Sequence, residues 1–262
     1  TVKHQKTLKY KKILIPTLLS LSFILCLSLK TLAGSQPFYT IFSTSMPIII
    51  DGKLDEPAWI AAPDVGAFKF SWWKSGKQEQ TVSKLLWDNN YLYVSFIVED
   101  AHIWAEKTDR DSAVFQDDCV EVFTAPNPHK PLTHFNIEMN VQGVFLNQFH
   151  RQSSGRRITE EWNGKGIKIA TSIVGTLNDD SDTDKYWILE AAIPFDNFAQ
   201  VAKNIPPKPE EIWYLNLNRL GGQTNLQYSQ WSPSQTPQPQ FHAPQNFGRV
   251  TFSTIKSPFW KR

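Results

Sequence analysis

Short runs in which apolar and polar residues alternate recur along the chain after residue 36, with turn-forming residues between them. Successive side chains on a β-strand point to opposite faces, so this alternation predicts strands with one buried face. The spacing of the runs favours an antiparallel β-sandwich over βαβ units. The predicted strands are residues 47–51, 82–87, 91–98, 119–124, 134–140, 144–149, 167–173, 186–193, 213–219 and 248–252.

Turn and loop residues complete this picture. Residues 88–90 (Asp-Asn-Asn) and 142–143 (Gln-Gly) are typical of hairpin turns. Only residues 56–62 and 195–202 have patterns that suit short helices. Residues 205–209 and 232–244 are rich in proline, which predicts loops. The expected fold class is therefore all-β, a jelly-roll-like antiparallel sandwich with long loops and little helix.

The first 33 residues carry a different signal. A basic segment precedes an apolar run over residues 13–29, and Ala33 and Gly34 follow as small residues at a cleavage position. This pattern predicts a signal peptide over residues 1–33, with a retained membrane anchor as the alternative. Export to the periplasm, the cell envelope or the medium is expected, followed by one domain over residues 36–253 and a tail over residues 254–262. A membrane contact is expected only if the segment is retained.

Charge and cysteine content limit the function classes. Six of the 27 basic residues and none of the 25 acidic ones lie in residues 1–33, so the remainder carries a net charge of −4. This charge gives no support to nucleic-acid binding. Cys119 is the one cysteine outside the predicted signal peptide. No intramolecular disulfide and no disulfide-linked partner is expected, and Cys119 is interpreted as a small core residue.

A lone carboxylate in a predicted strand is the first candidate for function. Glu121 shares a strand face with the apolar Cys119 and Phe123, which indicates an edge or a polar pocket. The late strand supplies Asn218 and Arg219, and the planar guanidinium of Arg219 is a plausible partner for Glu121 or a donor to ligand hydroxyls. A solvated outer face with an ordinary salt bridge is the alternative.

Five segments in order resemble the family 9 carbohydrate-binding modules and the wider DOMON-like superfamily. They are residues 50–59 (IDGKLDEPAW), 86–94 (LWDNNYLYV), 116–123 (QDDCVEVF), 187–194 (WILEAAIP) and 246–248 (NFG). The resemblance implies a β-sandwich with structural calcium and a slot in which two aromatic rings hold a sugar at a chain end. It also implies a binding module rather than an enzyme, with a glycan as the partner.

The resemblance implies site residues one by one. Phe115 and Phe241 stand where the sugar-binding members carry the two Trp rings, and Glu121 matches a carboxylate that binds sugar hydroxyls. The sugar-binding members carry an Arg at the position of Asn136 and an Asn at the position of Glu138, so the polar side of the slot differs from the family pattern. Phe115 and Phe241 could instead pack as core. The expected sugar contacts are Phe115, Phe241, Glu121 and Arg219, followed by Asn136, Glu138, Asn218 and His242.

Calcium is the one cofactor that the resemblance implies, and no organic cofactor is expected. The candidate ligands are Asp51 and Asp55 in the first turn and Asp117 and Asp118 before the Glu121 strand. Residues 179–184 hold four aspartates but lack the pattern of an EF-hand, which favours a solvated loop.

Two other functions stay open. Some DOMON relatives bind haem, for which Met46 or Met139 would pair with a histidine; the histidines considered are His102, His134, His150 and His242. Alternatively, Glu121 and Glu138 could act as the two carboxylates of a glycoside hydrolase. Sugar binding without catalysis is the leading expectation.

Overall fold

The structure is a computed structural model that describes residue 1, residues 36–222 and residues 225–255. The chain divides into two compact units, residues 1–35 and 36–262, and the second is described below. Residues 2–33 of the predicted signal peptide and residues 256–262 of the predicted tail lie outside the described residues. Within the described ranges, no helix combines the length and apolar character needed to cross a bilayer.

Strands dominate the described residues. They are β1 (Phe38–Ser43), β2 (Thr81–Trp87), β3 (Tyr91–Glu99), β4 (Cys119–Ala125), β5 (His134–Asn140), β6 (Phe145–Ser153), β7 (Arg156–Glu160), β8 (Lys168–Val174), β9 (Tyr186–Pro194), β10 (Ile212–Leu220), β11 (Tyr228–Gln230) and β12 (Gly248–Ser253). The helical elements are α1 (Pro57–Ala61) and three single-turn 3₁₀ helices, Val114–Gln116, Phe195–Phe198 and Pro244–Asn246.

The strands form one continuous mixed sheet. Its order is β7-β6-β5-β4-β10-β12-β1-β2-β3-β9-β8, and β11 pairs with β10. β1 is parallel to both β12 and β2, whereas the other strand pairs are antiparallel. The expectation of a purely antiparallel sheet is therefore corrected at β1, which the alternation pattern did not predict.

Shared core residues show that the sheet has two facing layers. Val122 of β4 and Ile137 of β5 lie in the same buried cluster as Phe96 of β3 and Leu189 of β9. These strands are far apart in the sheet order, so their apolar faces must pack against each other across the core. The predicted β-sandwich is confirmed.

Most predicted elements are confirmed within a residue or two at the strand ends, but residues 47–51 are not a strand. Ile49 N–H donates to Glu56 Oε1 (2.9 Å) and Asp51 N–H to Glu190 Oε2 (3.1 Å), so side chains rather than a neighbouring strand accept these backbone donors. β7 and β11 were also missed. The two predicted helices shrink to α1 and the 3₁₀ turn Phe195–Phe198.

Three neighbouring strands, β5, β4 and β10, form the part of the sheet that matters for function. Their inward faces supply core residues such as Val120, Ile137 and Leu217. Their opposite faces carry polar side chains, and a second apolar cluster that includes Phe123 and Phe241 lies beside them. This second cluster separates the polar side chains from solvent.

Candidate functional site

Strand pairing brings three of the predicted site residues together. Glu121 of β4 lies directly opposite Glu138 of β5 on one side and Asn218 of β10 on the other. All three side chains point away from the main core, as the alternation of each strand requires. They are nevertheless buried, with relative exposures of 2% for Glu121, 4% for Glu138 and 0% for Asn218.

The two carboxylates line a cavity of about 220 Å³, which we call the slot. This volume is below the range of about 300–1,000 Å³ that is typical of pockets for drug-sized ligands, so the slot suits a single ring. Its lining includes five of the predicted site residues, Phe115, Glu121, Glu138, Phe241 and His242, together with Phe123, Leu220, Tyr228, Pro239 and Gln240.

The two predicted aromatic walls differ in how firmly they are held. Phe115 lies in the 3₁₀ turn before β4, and its side chain is 44% exposed. Phe241 is only 9% exposed, with ring centroids 5.8 Å from Trp72 and 6.1 Å from Tyr228. Phe241 is therefore both core residue and slot lining, whereas Phe115 presents its ring to solvent.

The carboxylates are held by amide donors. Asn218 Nδ2 donates to Glu121 Oε2 (3.0 Å), and Asn136 Nδ2 donates to Glu138 Oε1 (2.7 Å). Within the described residues, Glu138 Oε2 is buried and has no hydrogen-bond partner. A buried acceptor without a donor is costly, so this oxygen is suited to a ligand hydroxyl.

Burial also changes the acidity of this pair. Burial raises the pKa of Glu138 to about 7. Burial, and then the neighbouring charge of Glu138, raises the pKa of Glu121 well above its ordinary value, whereas the Asn218 hydrogen bond lowers it. One carboxylate therefore favours the protonated form of the other, and the pair can present both a donor and an acceptor.

Further polar side chains hold the amide groups of Asn136 and Asn218 in place. Gln230 Nε2 donates to Asn218 Oδ1 (3.3 Å), and Gln230 Oε1 accepts from Ser234 N–H (2.8 Å). His150 Nε2 lies 2.8 Å from Asn136 Oδ1. Asn136 and Asn218 therefore act on the slot through the carboxylates that they orient.

Arg219 does not line the slot, which corrects its predicted role. It follows Asn218 in β10, so its side chain points to the opposite face of the sheet. There it is fully buried, and its Nη2 lies 2.8 Å from Asp100, 3.5 Å from Asp118 and 3.6 Å from Glu79. Arg219 neutralises buried carboxylates inside the sandwich and is not the partner of Glu121.

The four aspartates predicted as calcium ligands do not form a common site. Asp51 is paired with Lys53 (3.1 Å), and Asp55 is exposed. Asp117 accepts from the backbone N–H groups of residues 106 and 107 and from Asn140 Nδ2. Asp118 accepts from backbone N–H groups of residues 104 and 222 and pairs with Arg219. The carboxylates of Asp51, Asp117 and Asp118 already face donors, so these three do not fit a cation as they stand.

The two methionines predicted as possible haem ligands lie in different surroundings. Met139 is in the main core, on the opposite face of β5 from His134. Met46 is 41% exposed in the segment after β1. Met139 is therefore not placed to share a haem with His134.

Sequence reasoning missed part of the slot. Phe123 lies on the same strand face as Glu121, so the alternation along β4 could have identified it as a lining residue. Tyr228 and Gln240 had no such signal, because a short edge strand and an irregular loop position them.

An all-β sandwich with an aromatic-walled slot over buried polar groups is the architecture of a carbohydrate-binding module. The family "Carbohydrate family 9 binding domain-like" matches residues 50–254. The chain belongs to this family, as the resemblance predicted. Family 9 modules bind sugar and are not catalytic domains, so the hydrolase alternative does not hold.

Curated relatives and solved structures agree with this assignment. Exoglucanase XynX of Acetivibrio thermocellus and endo-1,4-beta-xylanase A of Thermoanaerobacterium saccharolyticum are each 29% identical over 148 residues, 56% of this chain and 11% of theirs. The matched region thus spans about a tenth of those enzymes.

The solved structures share the fold. A protein from Bacteroides uniformis ATCC 8492 has a TM-score of 0.68 at 20% identity, covering 84% of this chain and 100% of its own. A family 9 module from Caldicellulosiruptor kristjanssonii in complex with cellotriose has a TM-score of 0.56 at 18% identity, covering 83% and 95%. A family 9 module from the same organism in complex with glucose has a TM-score of 0.55 at 17% identity, covering 83% of this chain and 97% of its own.

Proposed function

We propose that this protein binds a glycan by enclosing one sugar ring in the slot, between Phe115 and Phe241. Sugar rings present C–H patches that stack on aromatic faces, while their hydroxyls need fixed donors and acceptors. The observation that carries the proposal is the unpartnered, buried Oε2 of Glu138 in a slot walled by phenylalanines. Glu121 and Glu138 would bind hydroxyls, and Asn136 and Asn218 would orient them.

Neutral sugars fit this slot better than acidic ones. Two carboxylates line it, and its lining residues include no Lys or Arg. A uronic acid would place a further negative charge near this pair, with no Lys or Arg among the lining residues to balance it. We therefore propose neutral glucan or xylan oligosaccharides, the chemistry suggested by the names and ligands of the relatives.

A neighbouring groove offers room for the rest of an oligosaccharide. This cavity of about 530 Å³ shares Tyr228 and Pro239 with the slot, and Trp72 and Trp73 also line it. Indole faces are good platforms for further sugar rings. This arrangement supports recognition of a chain end whose terminal ring occupies the slot.

Export is part of the proposal, and its support is the basic and then apolar pattern of residues 1–33. A calcium ion also stays a proposal, supported by the family resemblance alone. Cell fractionation and N-terminal sequencing test the export proposal. Thermal melting with and without a calcium chelator tests the calcium proposal, and an unchanged melting temperature would count against it.

Calorimetric titration tests the sugar proposal. We expect saturable binding of cellotriose or xylotriose, and no binding of oligosaccharides that end in a uronic acid. Glu138→Gln should weaken binding by about 10- to 100-fold, because hydrogen bonds to charged groups contribute about 1.5–3 kcal/mol. Glu161→Gln, at an exposed site, is the matched control. If the folded protein bound none of the neutral sugars, the proposal would be refuted.

A further inference from the structure

Three histidines from three separate segments meet beside the slot. His134 of β5 and His150 of β6 are direct partners in the strand register, and His242 comes from the loop before β12. One ring nitrogen of each lies within 4.8 Å of one from each of the others. In the described part of the chain, this is the one group of three or more His, Cys, Asp or Glu residues with ligand atoms arranged in this way.

The spacing of the ring nitrogens is close to that of a metal site. Tetrahedral Zn²⁺ with nitrogen ligands at about 2.0–2.1 Å brings those nitrogens to about 3.4 Å of one another. His134 Nε2 and His242 Nδ1 are already 3.2 Å apart. The largest separation in the group, 4.8 Å, would need to close by about 1.4 Å, within the reach of small side-chain rotations.

Hydrogen bonds orient the three rings. Asn136 turns its amide nitrogen to Glu138, so its Oδ1 accepts from His150 Nε2–H (2.8 Å), while His150 Nδ1 faces the Thr159 hydroxyl (3.1 Å). His134 Nδ1 faces the Leu132 carbonyl (3.4 Å), which leaves Nε2 as the acceptor nitrogen. Metal-binding histidines are oriented in this manner, with the second ring nitrogen donating to an oxygen.

Burial keeps the three rings neutral. It lowers the pKa of His134 to about 4, of His150 to about 3 and of His242 to about 2, and the charge of Arg157 lowers all three further. Neutral imidazole is the form that ligates metals. Imidazole nitrogens suit zinc, copper and nickel rather than calcium.

We propose that His134, His150 and His242 bind a divalent transition-metal ion of the zinc class through one ring nitrogen each. Three protein nitrogens with a fourth position for solvent is a known ligand set for zinc. The ion would fasten the loop that carries Phe241 and His242 to β5 and β6. One wall of the slot would then be held by the metal.

The competing explanation is aromatic packing. His134 stacks on His150 at 4.8 Å, and Phe123 lies 4.8 Å from His242, so the three rings also fill space under the loop. Packing requires no ion and predicts no stoichiometric binding. The two explanations therefore differ in a direct measurement.

Zinc titration of the chelator-stripped full chain, purified without a polyhistidine tag, tests the site. We expect one Zn²⁺ per chain by calorimetry and a higher melting temperature with Zn²⁺. His150→Ala and His242→Ala should each weaken binding by more than about 100-fold, since loss of an outer partner alone typically costs 10- to 100-fold. His129→Ala, at an exposed histidine outside the group, should bind as the parent protein does.

A measurement without substitutions covers the case in which a variant does not fold. Long-range ¹⁵N NMR of the histidine rings in the parent protein should show Zn²⁺-dependent shifts at one ring nitrogen each of His134, His150 and His242. Absence of stoichiometric binding, ring shifts at other histidines, or binding that survives both alanine substitutions would each overturn the proposal.

Discussion

Glu121 and Glu138 lie directly opposite each other on β4 and β5, and both are almost completely buried. Strand pairing forces two carboxylates into one slot, where asparagines donate to one oxygen of each. Burial raises the pKa of both carboxyls, and the charge of Glu138 raises that of Glu121 further, so the pair holds a proton that solvated glutamates would have lost. This relationship determines both the stability of the slot and its ability to bind hydroxyls.

The glutamate pair predicts a particular dependence of stability on pH. The ordinary pKa of a Glu is 4.5 and that of folded Glu138 is about 7. In this window the folded protein holds more protons than the unfolded chain, so the free energy of unfolding should fall as pH rises. Glu138→Gln should reduce this decline and raise the melting temperature at pH 8 by roughly 2–4 °C for each kcal/mol regained.

Thermal melts at pH 5 and pH 8 measure this effect. The change between parent and variant isolates the pair from other titrating groups, and Glu161→Gln, an exposed position, is the control. A decline of the same size in the parent protein and in Glu138→Gln would contradict a coupled buried pair.

Phe115 is predicted to bind sugar without holding the fold. Its ring is 44% exposed, so Phe115→Ala should lower sugar affinity by about tenfold, or about 1.4 kcal/mol, with little change in stability. Phe115→Trp should strengthen binding, because indole is larger and richer in electrons. Calorimetry checks both variants, and Phe38→Ala, another exposed phenylalanine at 56%, is the control. Equal affinity in all variants would remove Phe115 from the site.

Phe241 should behave differently from Phe115. Because its ring is 9% exposed and packs on Trp72 and Tyr228, Phe241→Ala should cost up to about 3–5 kcal/mol of stability as well as sugar affinity. Phe241→Leu keeps most of the volume and should retain the fold while losing the stacking face. Urea unfolding together with calorimetry separates the two effects. Full sugar affinity in a folded Phe241→Leu protein would argue against a second aromatic wall.

Arg219 is predicted to act on stability and not on sugar binding. Arg219→Met leaves Asp100, Asp118 and Glu79 buried without their cation, which should cost about 3–5 kcal/mol in urea unfolding. Arg249→Met, at an exposed arginine, should change stability by less than about 0.5 kcal/mol. Sugar affinity of the folded Arg219→Met protein should stay near the parent value, and a selective loss of sugar binding would restore the contact first expected for Arg219.

Trp73 is predicted to contribute to the binding of oligosaccharides but not of single sugars. It lines the groove beside the slot but not the slot itself. Trp73→Ala should therefore weaken cellotriose by about tenfold and leave glucose unchanged. Titration of both sugars measures the ratio. An equal loss for both would place Trp73 in the support of the fold rather than in an extended subsite.

The sequence was sufficient for the fold class and for much of the slot, because alternation and turn residues are local signals. β4 and β5 follow the period-two pattern closely, which placed Glu121 and Glu138 on strand faces away from the core. β1 was missed because it pairs in parallel on both sides and its apolar residues do not alternate regularly.

Contacts between distant segments were beyond the local patterns. Alternation alone separates Asn218 from Arg219, but the carboxylates around Arg219 come from three other parts of the chain. The meeting of His134, His150 and His242 depends on strand register and on the path of a proline-rich loop. Neither is encoded in a short motif.

A crystal structure of the protein with cellotriose bound tests the central claim most directly. We expect one terminal sugar ring between Phe115 and Phe241, with a hydroxyl at hydrogen-bond distance, about 2.5–3.0 Å, from Glu138 Oε2. The remaining rings should extend toward Trp73. An empty slot at saturating cellotriose, or a sugar bound only elsewhere on the sandwich, would contradict the proposed site.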